Sequence, residues 1–428
     1  MAKVVSLDNL LASMEARRNE AAPWLSPLLG EAGEKFAHQG LPNRRVEAWR
    51  YSDLAKALHE TVKPEADADG PPEFPGACVA AFENGVLVDS LSSYCAMGAH
   101  SLRKILGEKD STVANYIGKI NPQQDHPIIN LNTALMEEGL VLHVPKDVIL
   151  ATPLHLRFNW SDVETQGADG RHLRILVVLE EGAQATIFES HDGAPSFATI
   201  VSEFSLAANA KLTHVRLENF SAAARQTAAT VAELGEKAHY RGFYLSQGGH
   251  FARHEALLKL AGEECEARMD GAYLVADRRH CDNTTVVNHA APNTSSKQTF
   301  RGVLAGAGRG VYQGCVQVAQ AAQKTDAKQL SRALLLSHRA EIVTKPELEI
   351  FADDVKCSHG ATAGELDANA LFFLRARGIP ETAARAMLVE AFLGEALDTI
   401  ENEALRALAS TCALNWLARH AGEATHVE

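Results

Sequence analysis

Several features that would assign this chain of 428 residues to a common class are missing. No run approaches the roughly 18 consecutive apolar residues that a membrane helix needs. The first residues, MAKVVSLDNLLASMEARRNE, hold neither a long apolar stretch nor a small-residue cleavage site, so we expect no secretory signal. Basic residues are in deficit, with 41 Lys and Arg against 54 Asp and Glu and a net charge of -13. These absences argue against a membrane partner. They also argue against sequence-independent binding of nucleic acid, because such binding needs basic residues to neutralise the phosphates.

Paired cysteines are missing as well. The seven cysteines stand singly at positions 78, 95, 265, 281, 315, 357 and 412, with no C-x-x-C pair. An odd number without paired spacing indicates neither a disulfide framework nor a zinc ribbon. We therefore expect a reduced, cytoplasmic protein.

A nucleotide-hydrolysing motif is also lacking. The glycines of GAGRGVYQG, residues 306–314, are followed by a stretch typical of a strand, and no G-K-[ST] is present. A phosphate loop needs a helix N-terminus after its glycines, because the aligned N–H groups there bind the anion. We expect this stretch to be a strand and its turn.

What the sequence does contain divides it into four parts. The predicted boundaries are an N-terminal helical region (1–62), a linker rich in proline and acid (63–76), a β-helix core (77–365) and a C-terminal helical domain (366–428). The first helix is indicated by Ser6, a suitable N-cap, ahead of leucines at helical spacing.

A regular repeat runs through the middle region. The turn positions Gly182, Asn209, Glu236 and Glu263 follow one another at equal intervals, and each precedes an alternating run. A fixed period with strands and no helices between them predicts a mostly β fold, a parallel solenoid whose stacked coils bury one another's apolar sides. The residues leave one alternative open, a generic β-sandwich in which the spacing is coincidental.

The C-terminal region returns to a helical pattern. LDANALFFLRARGIP ends with Gly378 as a C′ residue, and PETAARAMLVEAFLGEAL places apolar residues on one face of a further helix. Such a tail could cover the end of a solenoid, or it could offer a helix face to a partner. The pattern alone does not choose between these two interpretations.

The strongest chemical signal lies in DDVKCSHGATAGELD, which holds Cys357 and His359. In an extended segment residues i and i+2 project to the same side, about 7 Å apart. A thiol and an imidazole suit a metal ion or an iron–sulfur species, but two ligands do not complete such a site. Further ligands would have to come from elsewhere in the chain or from another chain. A Cys/His nucleophilic pair and an ordinary turn remain as alternatives.

Two other clusters give weaker signals. His250 and His254 have the spacing of two metal ligands, but their strand-like setting favours histidines that are hydrogen-bonded within the fold. His280, Cys281 and Asp282 are adjacent, and neighbouring residues of a strand point to opposite faces.

Two stretches resemble a known family. KPELEIFADDVKCSHGATAGELDANALFFLRARGI, residues 345–379, resembles the signature of the SufB/SufD family of the SUF iron–sulfur cluster assembly machinery, and LPNRRVEAWRYSDL, residues 41–54, resembles its N-terminal stretch. CSHGAT favours the SufD branch over the SufB branch. The resemblance covers the whole chain in order, and it implies a right-handed parallel β-helix and a scaffold subunit rather than an enzyme.

The same resemblance implies partners and sites. The chain would pair with a SufB-like paralogue through the solenoids and bind a SufC-like ATPase, which hydrolyses ATP, through its helical tail; in isolation it could pair with a second copy of itself. His359 and, with less weight, Cys357 would be ligands of a nascent, transient iron–sulfur cluster at the SufB interface, with no cluster held tightly by this chain alone. The apolar residues of the tail that we expect at the ATPase interface are Phe372, Phe373, Met387, Leu388 and Phe392.

A rival hypothesis is a stand-alone β-helix enzyme that acts on polysaccharide with carboxylates along one solenoid face. Asp353 and Asp354 are the candidates, but they are adjacent and a strand would point them to opposite sides. Aromatic residues make up only 6% of the chain, which is low for a sugar groove. A third hypothesis, a carrier or storage site for an organic cofactor, stays open, although no segment forms a recognisable flavin-binding motif.

Overall fold

The computed structural model describes residues 5–62, 72–108, 112–122, 126–161 and 169–420. Residues 63–71 of the predicted linker and residues 421–428 of the predicted C-terminal domain lie outside the described residues. Within them the α-helices are α1 (Leu7–Glu20), α2 (Ser26–Gln39), α3 (Leu54–His59), α4 (Leu102–Leu106), α5 (Pro127–Leu135), α6 (Ala368–Arg375), α7 (Glu381–Leu397) and α8 (Glu403–His420). The strands are β1 (Cys78–Glu83), β2 (Val86–Leu87), β3 (Ala99–Ser101), β4 (Glu138–Val144), β5 (Leu154–Trp160), β6 (Arg171–Leu179), β7 (Gln184–Gly193), β8 (Ala198–Leu206), β9 (Lys211–Phe220), β10 (Arg225–Leu234), β11 (His239–Ser246), β12 (Phe251–Leu260), β13 (Glu266–Val275), β14 (His280–His289), β15 (Ser295–Leu304), β16 (Arg309–Val318), β17 (Asp326–Leu335), β18 (Glu341–Ile350) and β19 (Lys356–Gly364).

The long strands form a solenoid. From β4 to β19 consecutive strands alternate between two sheets, and each strand pairs in parallel with the strand two further along the chain. The ten-stranded sheet contains the odd-numbered strands from β5 to β19 together with β1 and β2, and the nine-stranded sheet contains the even-numbered strands from β4 to β18 together with β3. The two sheets bury a common apolar core between them. The prediction of a parallel β-solenoid with helices at both ends is confirmed, because a generic β-sandwich would not pair every coil in parallel with the next.

The repeat that indicated the solenoid is visible in the strand register. Lys211 pairs with Gln184, which is the same interval as that between the predicted turns, and His239 pairs with Lys211 at an interval longer by one position. Further along, Asp326 pairs with Ser295, and this interval is longer again. The coils therefore keep the period in the middle of the chain and lengthen toward its end.

The turns between coils stack on one another. Gly182, Asn209, Lys237 and Glu264 occupy the left-handed region, with φ of 72°, 61°, 53° and 57°. The N–H of Asn209 donates to the carbonyl of the next turn, at Glu236, over 2.8 Å. The first two turns lie where the repeat predicts them, whereas in the next two the left-handed residue comes one position later.

The N-terminal region folds as the sequence predicts and covers one side of the solenoid. The Ser6 side chain accepts a hydrogen bond from the N–H of Asn9 and caps α1. Trp49 docks on the outer face of the nine-stranded sheet, where its ring stacks on Phe251 and the Arg253 guanidinium lies 4.1 Å from the ring centroid. This contact places the segment 41–54 against the solenoid.

The range 77–365 also contains helices. α4 and α5 lie between β3 and β4, and the alternating coils begin only at β4. Every residue of α5 is buried, so the helix has no polar face and lacks the amphipathic pattern that identifies a helix in a sequence.

The C-terminal helices lie along the side of the solenoid. α7 and α8 pack on the outer face of the ten-stranded sheet, in a cluster that joins Val389, Leu393 and Trp416 to Val215 and Phe243 of the strands. The interpretation in which the tail covers the end of the solenoid is therefore wrong, because this outer face is itself apolar and attracts the helices. In the described part of the chain no helix is long and apolar enough to cross a membrane.

Candidate functional site

Cys357 and His359 lie on β19, the outermost strand of the ten-stranded sheet. In the described residues β19 pairs only with β17, and the register sets Cys357 beside Ala327 and His359 beside Gln329. Paired residues of a parallel sheet share a face, and Ala327 and Gln329 are both buried. Both candidate residues therefore project toward the space between the two sheets, as the spacing predicts.

The last coil is uncovered. No residue of β18 or β19 is buried, whereas most of β16, the strand before β18 in its sheet, is buried. Phe351, in the turn between β18 and β19, is 70% exposed. The inward-facing row that would meet a further coil, such as Pro346 and His359, instead meets solvent. The last coil thus has two unpaired strand edges and exposes a cross-section of the solenoid core.

Cys357 and His359 differ in their surroundings. Cys357 is half-buried and packs with Ala352 and Leu348 in a small apolar cluster, while His359 is exposed. Burial raises the pKa of the Cys357 thiol, and the charge of Asp326 adds to the effect. A thiol with a raised pKa stays protonated at neutral pH, which weakens the alternative of an activated Cys/His nucleophile.

The ligand set within the chain is small. Across residues 5–62, 72–108, 112–122, 126–161 and 169–420, no group of three or more His, Cys, Asp or Glu side chains is placed to hold a metal ion. Cys315 does not join the pair, because it lies on the outer face of β16, where burial and then Glu349 and Glu347 raise its pKa to about 12. Cys357 and His359 can act as ligands only with help from outside the described residues.

The two weaker histidine clusters are part of the fold. His250 contacts Glu60 over 3.0 Å, while His254 points into the solenoid, where it hydrogen-bonds Thr230 over 3.2 Å. Burial holds the pKa of His254 well below its usual value, with Arg216 adding to the effect. The two imidazoles do not converge on a metal site.

His280, Cys281 and Asp282 point in alternate directions along β14. His280 hydrogen-bonds Ser52 over 2.8 Å, and Asp282 accepts from Ser52 and Arg253 on the same outer face. Cys281 faces the interior, where burial raises its pKa to about 12. The cluster attaches the N-terminal segment to the sheet.

One buried cluster of charged residues was not predicted from the sequence. Arg216 lies inside the solenoid and binds both Glu189 and Glu218, with Glu218 at 2.7 Å, and His214 contacts Glu189 over 3.0 Å. The signal was available, since in ATIFESHDG and KLTHVRLENF these charged residues occupy the positions that alternate with outward-facing apolar residues. The apolar residues Val215 and Leu217 on the outer face hide the alternation, because they suggest a core-facing side where the strand carries its outer one.

The helical tail exposes part of the predicted partner surface. Phe372 and Phe373 on α6 are 73% and 55% exposed, and Met387 on α7 is 47% exposed. Leu388 is half-buried. Phe392 packs toward the sheet, with the Arg301 guanidinium 5.4 Å from its ring centroid.

The carboxylates of the polysaccharide hypothesis lie in a turn. Asp353 and Asp354 are exposed between β18 and β19, and the Asp354 backbone is tied to Lys324 and Gln323. They do not face a groove along the solenoid, so the geometry gives that hypothesis no support.

The fold and its open end define a class, a parallel β-solenoid with helices at both ends and a Cys-x-His pair on its last coil. Residues 162–392 match the family described as "SUF system FeS cluster assembly, SufBD core domain", and residues 81–156 match "SufBD protein N-terminal region". The chain belongs to the SufBD family and has a role in iron–sulfur cluster assembly, which confirms the family resemblance carried by residues 345–379. Residues 41–54 lie outside both matched ranges.

Individual relatives agree with the family. The chain is 33% identical to an iron–sulfur cluster assembly SufBD family protein of Synechocystis over 401 residues, 87% of this chain and 86% of the relative. It is 29% identical to the iron–sulfur cluster assembly protein SufD of Escherichia coli over 390 residues, 89% of this chain and 90% of the relative. It is also 27% identical to the chloroplastic protein ABCI7 of Arabidopsis thaliana, over 93% of this chain and 87% of the relative.

Proposed function

We propose that this chain is a SufD-type scaffold subunit, without catalysis of its own, that pairs with a SufB-like paralogue and binds a SufC-like ATPase. The observation that carries the proposal is the uncovered last coil, in which β18 and β19 end both sheets with no residue buried. Open edges of this kind accept a further strand, and main-chain hydrogen bonds then give affinity. A paralogous solenoid offers two such strands at once.

The nascent cluster would form in the seam between the two solenoids. His359 faces into that seam and is exposed, and Cys357 lies two residues away on the same face of the strand. The partner would supply the remaining ligands, which fits the small ligand set found among the described residues. Few ligands at a separable interface allow a cluster to form and then leave, and imidazole in place of thiolate leaves less negative charge on it.

The ATPase would dock on the tail. The exposed apolar side chains Phe372, Phe373 and Met387 form the side of the tail that faces away from the solenoid core. An apolar helix face set into a groove is a recurrent mode of recognition. Leu388 and Phe392 contribute less directly, because each is partly buried within the chain.

The test is anaerobic co-expression of the chain with its SufB-like and SufC-like partners, followed by affinity purification, mass identification of bound proteins, and assay of iron and sulfide. We expect both partners and a labile cluster with the unaltered chain. His359→Ala should keep both partners and lose most of the iron and sulfide, with Lys356→Ala on the same strand as the matched control. Met387→Glu should lose the ATPase and keep the paralogue, with Glu390→Ala on the same helix as its control.

Two results would contradict the proposal. Undiminished iron and sulfide with His359→Ala would remove His359 from the site. Recovery of the unaltered chain alone, without paralogue or ATPase, would remove the scaffold role.

A further inference from the structure

A cavity of about 300 Å³ opens on the side of the solenoid and extends to Glu341, the first residue of β18. It lies where the segment 41–54 and α3 cross the outer face of the nine-stranded sheet. Six basic side chains line it: Arg44, Lys56, Arg278, Arg279, Arg309 and Arg339. Only three carboxylates, those of Asp53, Glu60 and Glu341, line it with them. A concentration of positive charge of this size is unexpected in a chain whose net charge is -13.

The three carboxylates are already engaged. Asp53 accepts the N–H of Lys56 and caps α3, and Glu60 contacts both His250, over 3.0 Å, and the Lys56 ammonium, over 3.4 Å. Glu341 stands 3.8 Å from Arg309, beyond hydrogen-bond distance. None of the three neutralises the outer arginines.

Three of the arginines have no carboxylate partner among the described residues, whereas Arg279 donates to the carbonyl of Phe220. Arg44, Arg278 and Arg339 are exposed, and none of them has a carboxylate within ion-pair distance in the described residues. At the base of the cavity the Nε of Arg309 is buried and has no hydrogen-bond acceptor among the described residues. A buried guanidinium N–H without an acceptor costs free energy unless a ligand satisfies it.

The position of the arginines in the coils gives the cavity a regular wall. Arg278 stands in the turn between β13 and β14, and Arg339 in the corresponding turn two coils later, between β17 and β18. Coils repeat at about 4.8 Å, so the two backbones are about 10 Å apart. Arg309, in the coil between them, belongs to the stretch GAGRGVYQG, which has no phosphate loop but contributes a guanidinium here.

The potential in the cavity is positive. Burial lowers the pKa of His280, on the cavity wall, to about 3, and the charges of Arg309, Arg253 and Arg44 add to this effect. A neutral His280 leaves the charge of the cavity to the six basic and three acidic side chains that line it.

We propose that this cavity binds a phosphate-bearing small molecule, with Arg44, Arg278 and Arg339 around its diphosphate group and Arg309 at the base. Guanidinium forks match phosphate oxygens in pairs, and several forks that line one cavity suit a group with many acceptors better than a single carboxylate. The volume lies at the lower end of small-molecule sites, which fits a diphosphate with one attached ring. Tyr51 on the wall supplies apolar surface for such a ring.

The test is isothermal titration calorimetry of the full chain, without any ATPase partner, with pyrophosphate, ADP and sulfate in turn. We expect saturable binding of pyrophosphate and ADP at one site and at least about tenfold weaker binding of sulfate. Arg278→Ser with Arg339→Ser should weaken pyrophosphate binding by about tenfold or more. Both side chains are exposed, so the folded state should be unchanged in circular dichroism.

Arg45→Ser is the matched control, because Arg45 is exposed and adjacent to Arg44 but does not line the cavity. Tighter binding of ADP than of pyrophosphate would show that the site recognises the attached ring as well as the diphosphate. Equal binding would show that it recognises the diphosphate alone. Both results would support the proposed site. No saturable binding, or an equal loss in the Arg45→Ser variant, would overturn the proposal. Either result would leave the scaffold role untouched, since none of the substituted residues lies in β18, β19 or the tail.

Discussion

Arg216 shows how a charged residue can become part of a solenoid core. Burial raises the pKa of the Glu189 carboxyl, but the charges of Arg216 and His214 outweigh this effect and hold it well below its usual value. Arg216 also donates to Glu218 and, over 2.5 Å, to Gln226. One guanidinium therefore compensates two carboxylates that water does not reach.

Replacing Arg216 by Met should destabilise the protein by about 3–5 kcal/mol, because both carboxylates would stay buried without their counter-charge. Denaturant unfolding at neutral pH measures this loss. Lys237→Ala is the control, since it removes an exposed pair with Glu236 and should change the free energy of unfolding by less than about 0.5 kcal/mol. If Arg216→Met cost no more than this control, the network would not hold the core together.

The types of two residues and the spacing between them were enough to predict part of the candidate site. Cys357 and His359 were recognisable from their types and their spacing of two, and the register places them on one face, as expected. The exposure of Phe373 and the partial burial of Phe392 were not predictable, because both occupy apolar positions of a helical pattern. Only the strand surface beneath α7 decides which apolar side chains turn inward.

At the scale of the element, the stacked turns carry a measurable strain. Glu264 is exposed and has a φ of 57°, a conformation that costs an ordinary residue about 1–2 kcal/mol. Asparagine adopts this conformation more readily, as Asn209 and Asn293 do at corresponding turns.

Glu264→Asn should therefore raise the free energy of unfolding by about 0.5–1 kcal/mol. Glu263→Asn, at the neighbouring exposed residue with ordinary φ, should leave it nearly unchanged. Chemical denaturation of the two variants in parallel makes the comparison. Equal effects at both positions would show that the left-handed conformation is not the cause.

A fixed period located the coils but not every turn. The constant interval from Gly182 and Asn209 places turns at Glu236 and Glu263, whereas the left-handed residues are Lys237 and Glu264. Coils tolerate an extra residue at their corners, because lengthening a short loop costs little while the strand register is kept. The position of a turn within a coil therefore depends on the register, which the repeat alone does not fix.

For the whole molecule, the many buried histidines link stability to pH. Burial lowers the pKa of His155 to about 3 and those of His172, His191 and His289 to about 4, from an ordinary value near 6.5. Between these values the unfolded chain binds protons that the folded chain does not. Stability is therefore present above pH about 6.5 and is lost as the pH falls toward 4.

We expect the free energy of unfolding to fall steadily between pH about 6.5 and 4.5, each such histidine contributing up to about 1.4 kcal/mol per pH unit. Denaturant titrations across this range measure the slope. His289→Gln should reduce the slope by the share of one histidine, since glutamine can still hydrogen-bond Thr294 or Ser296 without titrating. A flat profile over this range would contradict the assignment of neutral buried imidazoles.

The order of helical region, solenoid and helical tail was readable from the sequence, because each part has its own periodicity. The position of the tail was not, because it depends on the outer face of the ten-stranded sheet. Strands such as KLTHVRLENF and HYRGFYLS are apolar on this face as well, with Val215, Leu217, Phe243 and Leu245 under the helices. An apolar outer face predicts a covered sheet, but not which segment covers it.

The two ends of the solenoid are not equivalent. At the end near the N-terminus β2 and β3 run antiparallel to their neighbours and close the two sheets, while β18 and β19 leave the other end open. A solenoid with one unpaired end can bind one other such solenoid, and the resulting pair has no unpaired end. The geometry therefore permits pairs and forbids fibres, which protects a protein built of long parallel edges from unlimited polymerisation.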